Sequence, residues 1–235
     1  MRLSLRRRER ERDDERERNV QATLALPVVL DWLGRQHHPR VLDLGGAHGD
    51  NVAFLSRFGC RLEIVDLFAQ LAEGQPSGET LSATHSHTSP RPRAGARDLE
   101  QILAQAMASS DAGGPDPVEP LDLVLAWDLF DYLAPAQIEA AYRGLSRHLR
   151  PGARLFAQVS YVGNVPLRPR RLRIADARSL VWDAEAPRVR PSPRYTERQL
   201  LKRLPGMRVE QSFLLRNGYR EIIASAVAPA AVEAG

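Results

Sequence analysis

One lysine, Lys202, stands against 32 arginines, and one cysteine, Cys60, is the only thiol in the chain. The lone cysteine excludes an intramolecular disulfide framework and any cysteine-built zinc cluster, and it fits a reducing compartment. Long hydrophobic runs are missing as well. No stretch reaches the length that an apolar membrane span needs, and the amino terminus is a run of charges with no signal-peptide core. The expectation is a soluble, cytoplasmic protein with no membrane partner. The shortage of lysine is a bias of GC-rich, bacterial-like coding, so the net charge of +4 says little about partners.

What is present is organised around residues 40–55. Val41, Leu42 and Leu44 form the short apolar run of a strand covered on both faces, and Gly45, Gly46 and Gly49 then punctuate it. Glycines there permit a tight turn and close approach of a ligand to the main chain, and Asp50 or Asn51 caps the helix that follows with Val52, Phe54, Leu55 and Phe58. This is the layout of a nucleotide-type site. The dinucleotide fingerprint G-x-G-x-x-G fails, because counting from Gly45 its middle glycine is Ala47 and its last is Asp50. Asp43 and Asp50 also put carboxylates where a pyrophosphate would sit, which favours a cationic ligand instead.

The stretch from Asp43 to Gly49 resembles the first motif of class I S-adenosyl-L-methionine (SAM)-dependent methyltransferases, acidic-x-Gly-x-Gly/Ala-x-Gly, at each fixed position. The resemblance, covering roughly residues 38–227, implies a doubly wound, mostly parallel seven-stranded α/β sheet with a C-terminal antiparallel hairpin. It implies SAM as cofactor, with Asp43, Gly45, Gly46, Ala47 and Gly49 framing the methionine end. Residues 61–66 read as a second strand ending at Asp66, 21 residues after Gly45. An acid there can take the ribose hydroxyls, and it can also cap the next helix.

Residues 1–19 are nearly all charged and read as a solvated helix or disorder; their interleaved acids cancel the arginines and argue against a nucleic-acid arm. The SAM-dependent domain then spans 20–228, opening with an amphipathic helix bent or begun at Pro27, and 229–235 is a frayed tail. Residues 74–97 offer no clear third strand; 81–84 is the best candidate, and His85 and His87 lack a third ligand, so no metal is expected. Residues 98–107 read as a helix that Asp98 can cap.

After the loop at 113–117, residues 121–126 form a fourth strand followed by Trp127 and Asp128, which should border the site; Trp127 packs either on adenosine or into the core. The following run to Leu133 and the Arg150-Pro151-Gly152 turn also resemble the family, with Pro151-Gly152 stopping a helix and leading into a fifth strand at 155–160. An Asn-Pro-Pro-Tyr motif, the mark of amide and base N-methyltransferases, is absent.

The segment 161–194 holds eight arginines against three acids, where the resembled family builds its substrate side. It reads as a solvated arginine surface or as recognition of an anionic small-molecule acceptor, with Tyr161, Arg168 and Arg171 as substrate contacts. No residue stands out as a catalytic base; His48 and Tyr161 are the candidates to test. Thr196 with Gln199 forms a capping box, and Asn217-Gly218 joins two strand-like runs as a hairpin. That hairpin, together with the absence of a Tyr-x-x-x-Lys pair, disfavours a nicotinamide oxidoreductase. A non-catalytic SAM-fold binding protein is the other alternative, and the oligomeric state is not encoded in any recognisable signal.

Overall fold

The computed structural model describes residues 20–67, 69, 96–111, 119–182 and 188–227. The charged segment 1–19, the strand candidate 81–84 with His85 and His87, the 113–117 loop and the 229–235 tail lie outside these residues. In chain order the elements are β1 (Val20–Ala22), α1 (Ala25–Leu33), β2 (Arg40–Asp43), α2 (Gly49–Leu55), β3 (Arg61–Ile64), α3 (Ala96–Asp111), β4 (Leu121–Trp127), α4 (Pro135–Ser146) and β5 (Leu149–Ser160). They continue with β6 (Asn164–Pro166), β7 (Arg173–Asp176), β8 (Ser179–Val181), β9 (Val189–Pro191), α5 (Glu197–Leu201), β10 (Met207–Leu214) and β11 (Tyr219–Ala226).

A central sheet orders its strands β10-β11-β5-β4-β2-β3, six among the described residues. The pairs β2–β3, β2–β4 and β4–β5 are parallel, while β11 runs antiparallel to both β5 and β10. Every residue of β2 and β4 is buried, Arg40, Asp43 and Asp122 included, as strands of a sheet covered on both faces must be. Alternate side chains serve opposite faces. Leu42, Val124, Leu155 and Ile222 join α3 and α4 in one core, whereas Val41, Leu123, Leu125, Phe156 and Ile223 join α1 in the other. At Gly144 of α4 a Cβ would come within 3.1 Å of the Glu100 carbonyl on α3, so the two helices touch through backbone.

Several expectations change. Residues 20–22 are a strand rather than the start of a helix, and the helix begins at Ala25, which leaves Pro27 in its first turn, where its missing N–H costs nothing. The amides of Leu24 and Ala25 donate to Glu221 of β11 at 2.7 and 2.8 Å, so a buried carboxylate from across the sheet holds this helix start. Helix α3 begins at Ala96, ahead of the expected Asp98 cap. Pro151-Gly152 does not stop a helix. The helix ends at Ser146, and β5 runs from Leu149 through both residues with Gly152 at φ +80°, a bulge where the pairing with β4 shifts register. Local rules read the turn residues correctly but could not see that the sheet resumes before them.

The described residues of the arginine-rich segment contribute to two small sheets. β6 pairs with β9, and β7–β8 form a hairpin to which β1 adds as a third strand. Two expectations held in detail. Thr196 accepts from the Gln199 amide while Gln199 returns a bond to the Thr196 amide, and the β10–β11 hairpin turns at Asn217-Gly218. There only Gly218 takes positive φ, +84°, and a Cβ on it would lie 2.2 Å from Val162.

Candidate cofactor and acceptor site

β3 lies on one side of β2 and β4 on the other, so the chain reverses its winding direction at β2. Ligands of doubly wound sheets bind in the crevice beyond the strand carboxyl ends at such a switch point. Three predicted groups converge there: the glycine turn after β2, Asp66 after β3, and Trp127-Asp128 at the end of β4.

Asp43 ends β2 with its carboxylate 1 % exposed. Its Oδ1 accepts from the Gly45 amide at 2.9 Å and from the Trp127 indole N–H at 2.6 Å. Burial nevertheless pushes its pKa up to about 6, the hydrogen bonds opposing the rise and the charge of Asp66 adding to it. Trp127 is 4 % exposed, packs edge-on against Phe156, and sits at φ +47°. A bulky aromatic in that region carries strain of about 1–3 kcal/mol, which its packing and its bond to Asp43 must hold.

The three glycines differ in purpose. A Cβ on Gly45 would lie 2.8 Å from Trp127 Cδ1 and 3.2 Å from Asp43 Oδ1, so this glycine makes room for the indole–carboxylate contact. A Cβ on Gly46 would lie 3.1 Å from Asp66 Oδ2. A Cβ on Gly49 would meet nothing within 4 Å beyond its own helix, so nothing described in the chain demands glycine there. Ala47 is exposed beside it. The expected helix cap at Asp50 or Asn51 is not made. His48 occupies the cap position without a side-chain cap bond, Asp50 sits in the first turn with Arg173 3.9 Å away, and Asn51 turns inward. Asp66 divides its oxygens: Oδ1 accepts from the Ala69 amide at 2.9 Å, a helix-start contact, and Oδ2 lies beside Gly46. Neither Asp43 nor Asp66 forms an ion pair among the described residues.

Asp128 is already engaged. Arg170, from between β6 and β7, donates Nε to its Oδ2 at 3.1 Å, and the two side chains are only 4 % and 2 % exposed. The remaining guanidinium nitrogens reach Gln21 Oε1 at 3.1 Å and Gln158 Oε1 at 3.0 Å, and the cation lies 4.1 Å from the Tyr219 ring centroid and 5.1 Å from that of Trp182. Nearby, Asp131 accepts from the Ser160 amide through both oxygens, and burial pushes its pKa up to about 7, with Asp128 contributing in the same direction. Tyr161 is 45 % exposed, with the Arg220 guanidinium 4.9 Å from its ring. Arg168 and Arg171 are also exposed, flanking Arg170, whose side chain is not. Arg170, Asn51, Gln21 and Gln158 carry no local signal of these roles, since their partners are distant in sequence.

Asp43 and Asp66, with no counter-cation among the described residues, flank a turn where a Cβ on Gly49 would meet nothing within 4 Å, which suits a ligand bearing positive charge and does not suit a pyrophosphate. A parallel sheet closed by an antiparallel hairpin, with an acidic glycine turn at its switch point, defines a class: the class I SAM-dependent methyltransferases. The chain belongs to the family described as the methyltransferase domain, whose model matches residues 6–205.

Among solved structures, it is similar to a SAM-dependent methyltransferase from Methanosarcina mazei (14 % identity, 86 % of this chain and 98 % of that one, TM-score 0.43). It is also similar to one from Clostridium acetobutylicum (12 % identity, 87 % and 90 %, TM-score 0.46). A third is the Burkholderia thailandensis 1,6-didemethyltoxoflavin-N1-methyltransferase, with bound 1,6-didemethyltoxoflavin and S-adenosylhomocysteine (18 % identity, 87 % and 77 %, TM-score 0.43). No curated protein matches the chain.

Proposed function

We propose that this protein transfers the methyl group of SAM to a small-molecule acceptor. The observation that carries the proposal is that two carboxylates, Asp43 and Asp66, with no counter-cation among the described residues, stand beside a glycine turn at the sheet's switch point. A bound SAM would supply a methyl group on a sulfonium, activated for in-line displacement. The chain's own part is alignment and the exclusion of water. Asp43, through Gly45 and Trp127, holds the turn in shape; Gly46, Ala47 and Gly49 leave the main chain approachable; Asp66 offers Oδ2 toward the turn for the ribose hydroxyls. Trp127 and Asp128 form the inner wall, from which Arg170 shields the Asp128 charge.

On the acceptor side, exposed Arg168 and Arg171 with Tyr161 would meet an anionic group, by bidentate guanidinium contacts. Calorimetric titration with SAM and with NAD tests the cofactor, and methyl transfer from labelled SAM into small-molecule extracts tests the reaction. SAM binding with labelled product is expected. Binding of NAD in its place would defeat the proposal, and SAM binding with no labelled product from any extract would favour a non-catalytic role.

A further inference from the structure

The arginine-rich segment is fastened to the crevice at two places. Residues 168–174 start beside the turn after β4, where the Tyr132 hydroxyl donates to the Arg168 carbonyl at 3.1 Å, and pass Asp128, which accepts from Arg170. They then reach α2, the helix that opens from the glycine turn. There one side chain, Asn51, takes hold of them. Its Nδ2 donates to the Leu172 carbonyl at 3.1 Å, and its Oδ1 accepts from the Ile174 amide at 2.8 Å, across 121 and 123 residues of chain.

Asn51 is 1 % exposed and lies in the first turn of α2, two residues past Gly49. An asparagine near a helix start ordinarily caps its own helix. This one instead joins the helix that opens from the glycine turn to β7 of the acceptor side. A buried amide with donor and acceptor both engaged is a stiff joint, because rotating it to improve one bond loses another. Helix α2 starts at Gly49, so a continuous path runs from the glycine turn through the first turn of α2 and Asn51 to residues 172 and 174. A ligand resting on the main chain of that turn restrains the start of α2, and with it the Asn51 amide.

We propose that Asn51 is a positioning residue through which occupancy of the glycine turn sets the rigidity and placement of residues 168–174, the inner edge of the acceptor side. The inference rests on the cofactor reading given above, and it adds that the acceptor meets a finished surface only once the cofactor is seated. Leu172 and Ile174 are themselves buried in the core beside α1, so simple packing would hold the segment equally well with or without ligand. The two accounts differ in whether the segment responds to ligand.

Hydrogen exchange over residues 168–176, with and without S-adenosylhomocysteine at a concentration shown by calorimetry to saturate, separates them. In the wild-type chain the ligand is expected to slow exchange there by about ten-fold or more, and in Asn51→Ala the slowing should shrink to under about two-fold while ligand still binds. Asn51→Asp keeps the acceptor for Ile174 but no N–H for the Leu172 carbonyl. It is the variant to use if the alanine form does not fold, and it too should lose the ligand-dependent slowing. Saturating ligand with no slowing in the wild type, or equal slowing in wild type and variants, overturns the coupling while leaving the cofactor reading intact. Failure of the wild type to bind S-adenosylhomocysteine removes that reading, and the coupling with it.

Discussion

Substituting alanine at Gly45 and, separately, at Gly49 should split two functions that the sequence motif presents as one. At Gly45 the new Cβ would stand 2.8 Å from Trp127 Cδ1 and 3.0 Å from its Nε1, in a place backed by core. The indole must move, and its 2.6 Å bond to Asp43 breaks or lengthens. Loss of a hydrogen bond to a charged acceptor costs about 1.5–3 kcal/mol, and forcing extra volume into a packed site about 1–3 kcal/mol more. Taking about 3–5 kcal/mol together, and about 2–4 °C per kcal/mol for a chain of this size, the melting temperature should fall by roughly 6–20 °C. At Gly49 a Cβ would meet nothing within 4 Å beyond its own helix, and the residue opens α2, so alanine should leave stability unchanged or raise it by up to about 1 kcal/mol.

If that open space belongs to the cofactor, the same methyl group should weaken S-adenosylhomocysteine binding by about ten-fold or more, some 1.4 kcal/mol. Thermal denaturation without ligand and calorimetric titration with it, on both variants, are the measurements. A Gly45→Ala protein that melts like the wild type would refute the packing argument. A Gly49→Ala protein with undiminished affinity would remove Gly49 from the site.

Asp66→Ala should weaken SAM affinity by about ten-fold or more through loss of charged hydrogen bonds, and unchanged affinity on titration would take Asp66 out of the site. Asp43 and Asp131 both titrate higher in the folded chain, near 6 and 7, than in an unfolded one. Between pH 4 and 7 the unfolded chain therefore loses these protons first, and ligand-free stability from the two groups is full below about pH 4 and declines as pH rises through the folded values. Asp131→Asn should flatten the upper part of that decline in a series of melting curves, and a wild-type profile rising from pH 5 to 7 would contradict the assignment. SAM affinity should run the opposite way and weaken as pH falls below 6, because the cation favours ionised Asp43; a flat affinity from pH 5 to 8 would count against it. Arg170→Leu should destabilise the fold by about 3–5 kcal/mol by stranding the buried Asp128 charge, and Arg170→Leu with Asp128→Leu should recover much of that loss. Equal melting temperatures for the single and double variants would mean that the pair is not what holds Arg170.

The strands of the central sheet were legible because their signals are local. β2 and β4 carry short apolar runs, Val41-Leu42 and Leu123 to Trp127, Asn217-Gly218 marks a hairpin, and Thr196 with Gln199 marks a helix start, each within a few residues. The Pro151-Gly152 pair misled for the same reason, since a bulge and a helix stop look alike until the neighbouring strand shows that pairing has resumed at Leu149. Val20–Ala22 carries an apolar pattern compatible with a helix, yet its hydrogen bonds go to β8, some 160 residues away. Arg170 looked like one more arginine in a basic segment. Its burial depends on Asp128, Gln21, Gln158 and two rings drawn from five separate stretches of chain.

By itself the sequence determined the class of fold and the chemistry of the opening turn, because apolar runs, glycine spacing and the sign of nearby charges act over short separations. The tertiary structure alone decided how the parts of that turn divide their work: Gly45 makes room for an indole, Gly49 faces open space, Asn51 serves the far insertion and Arg170 answers Asp128. Those outcomes turn on contacts within about 3 Å between segments far apart in the chain, and a hydrogen bond reaches no further than its partner.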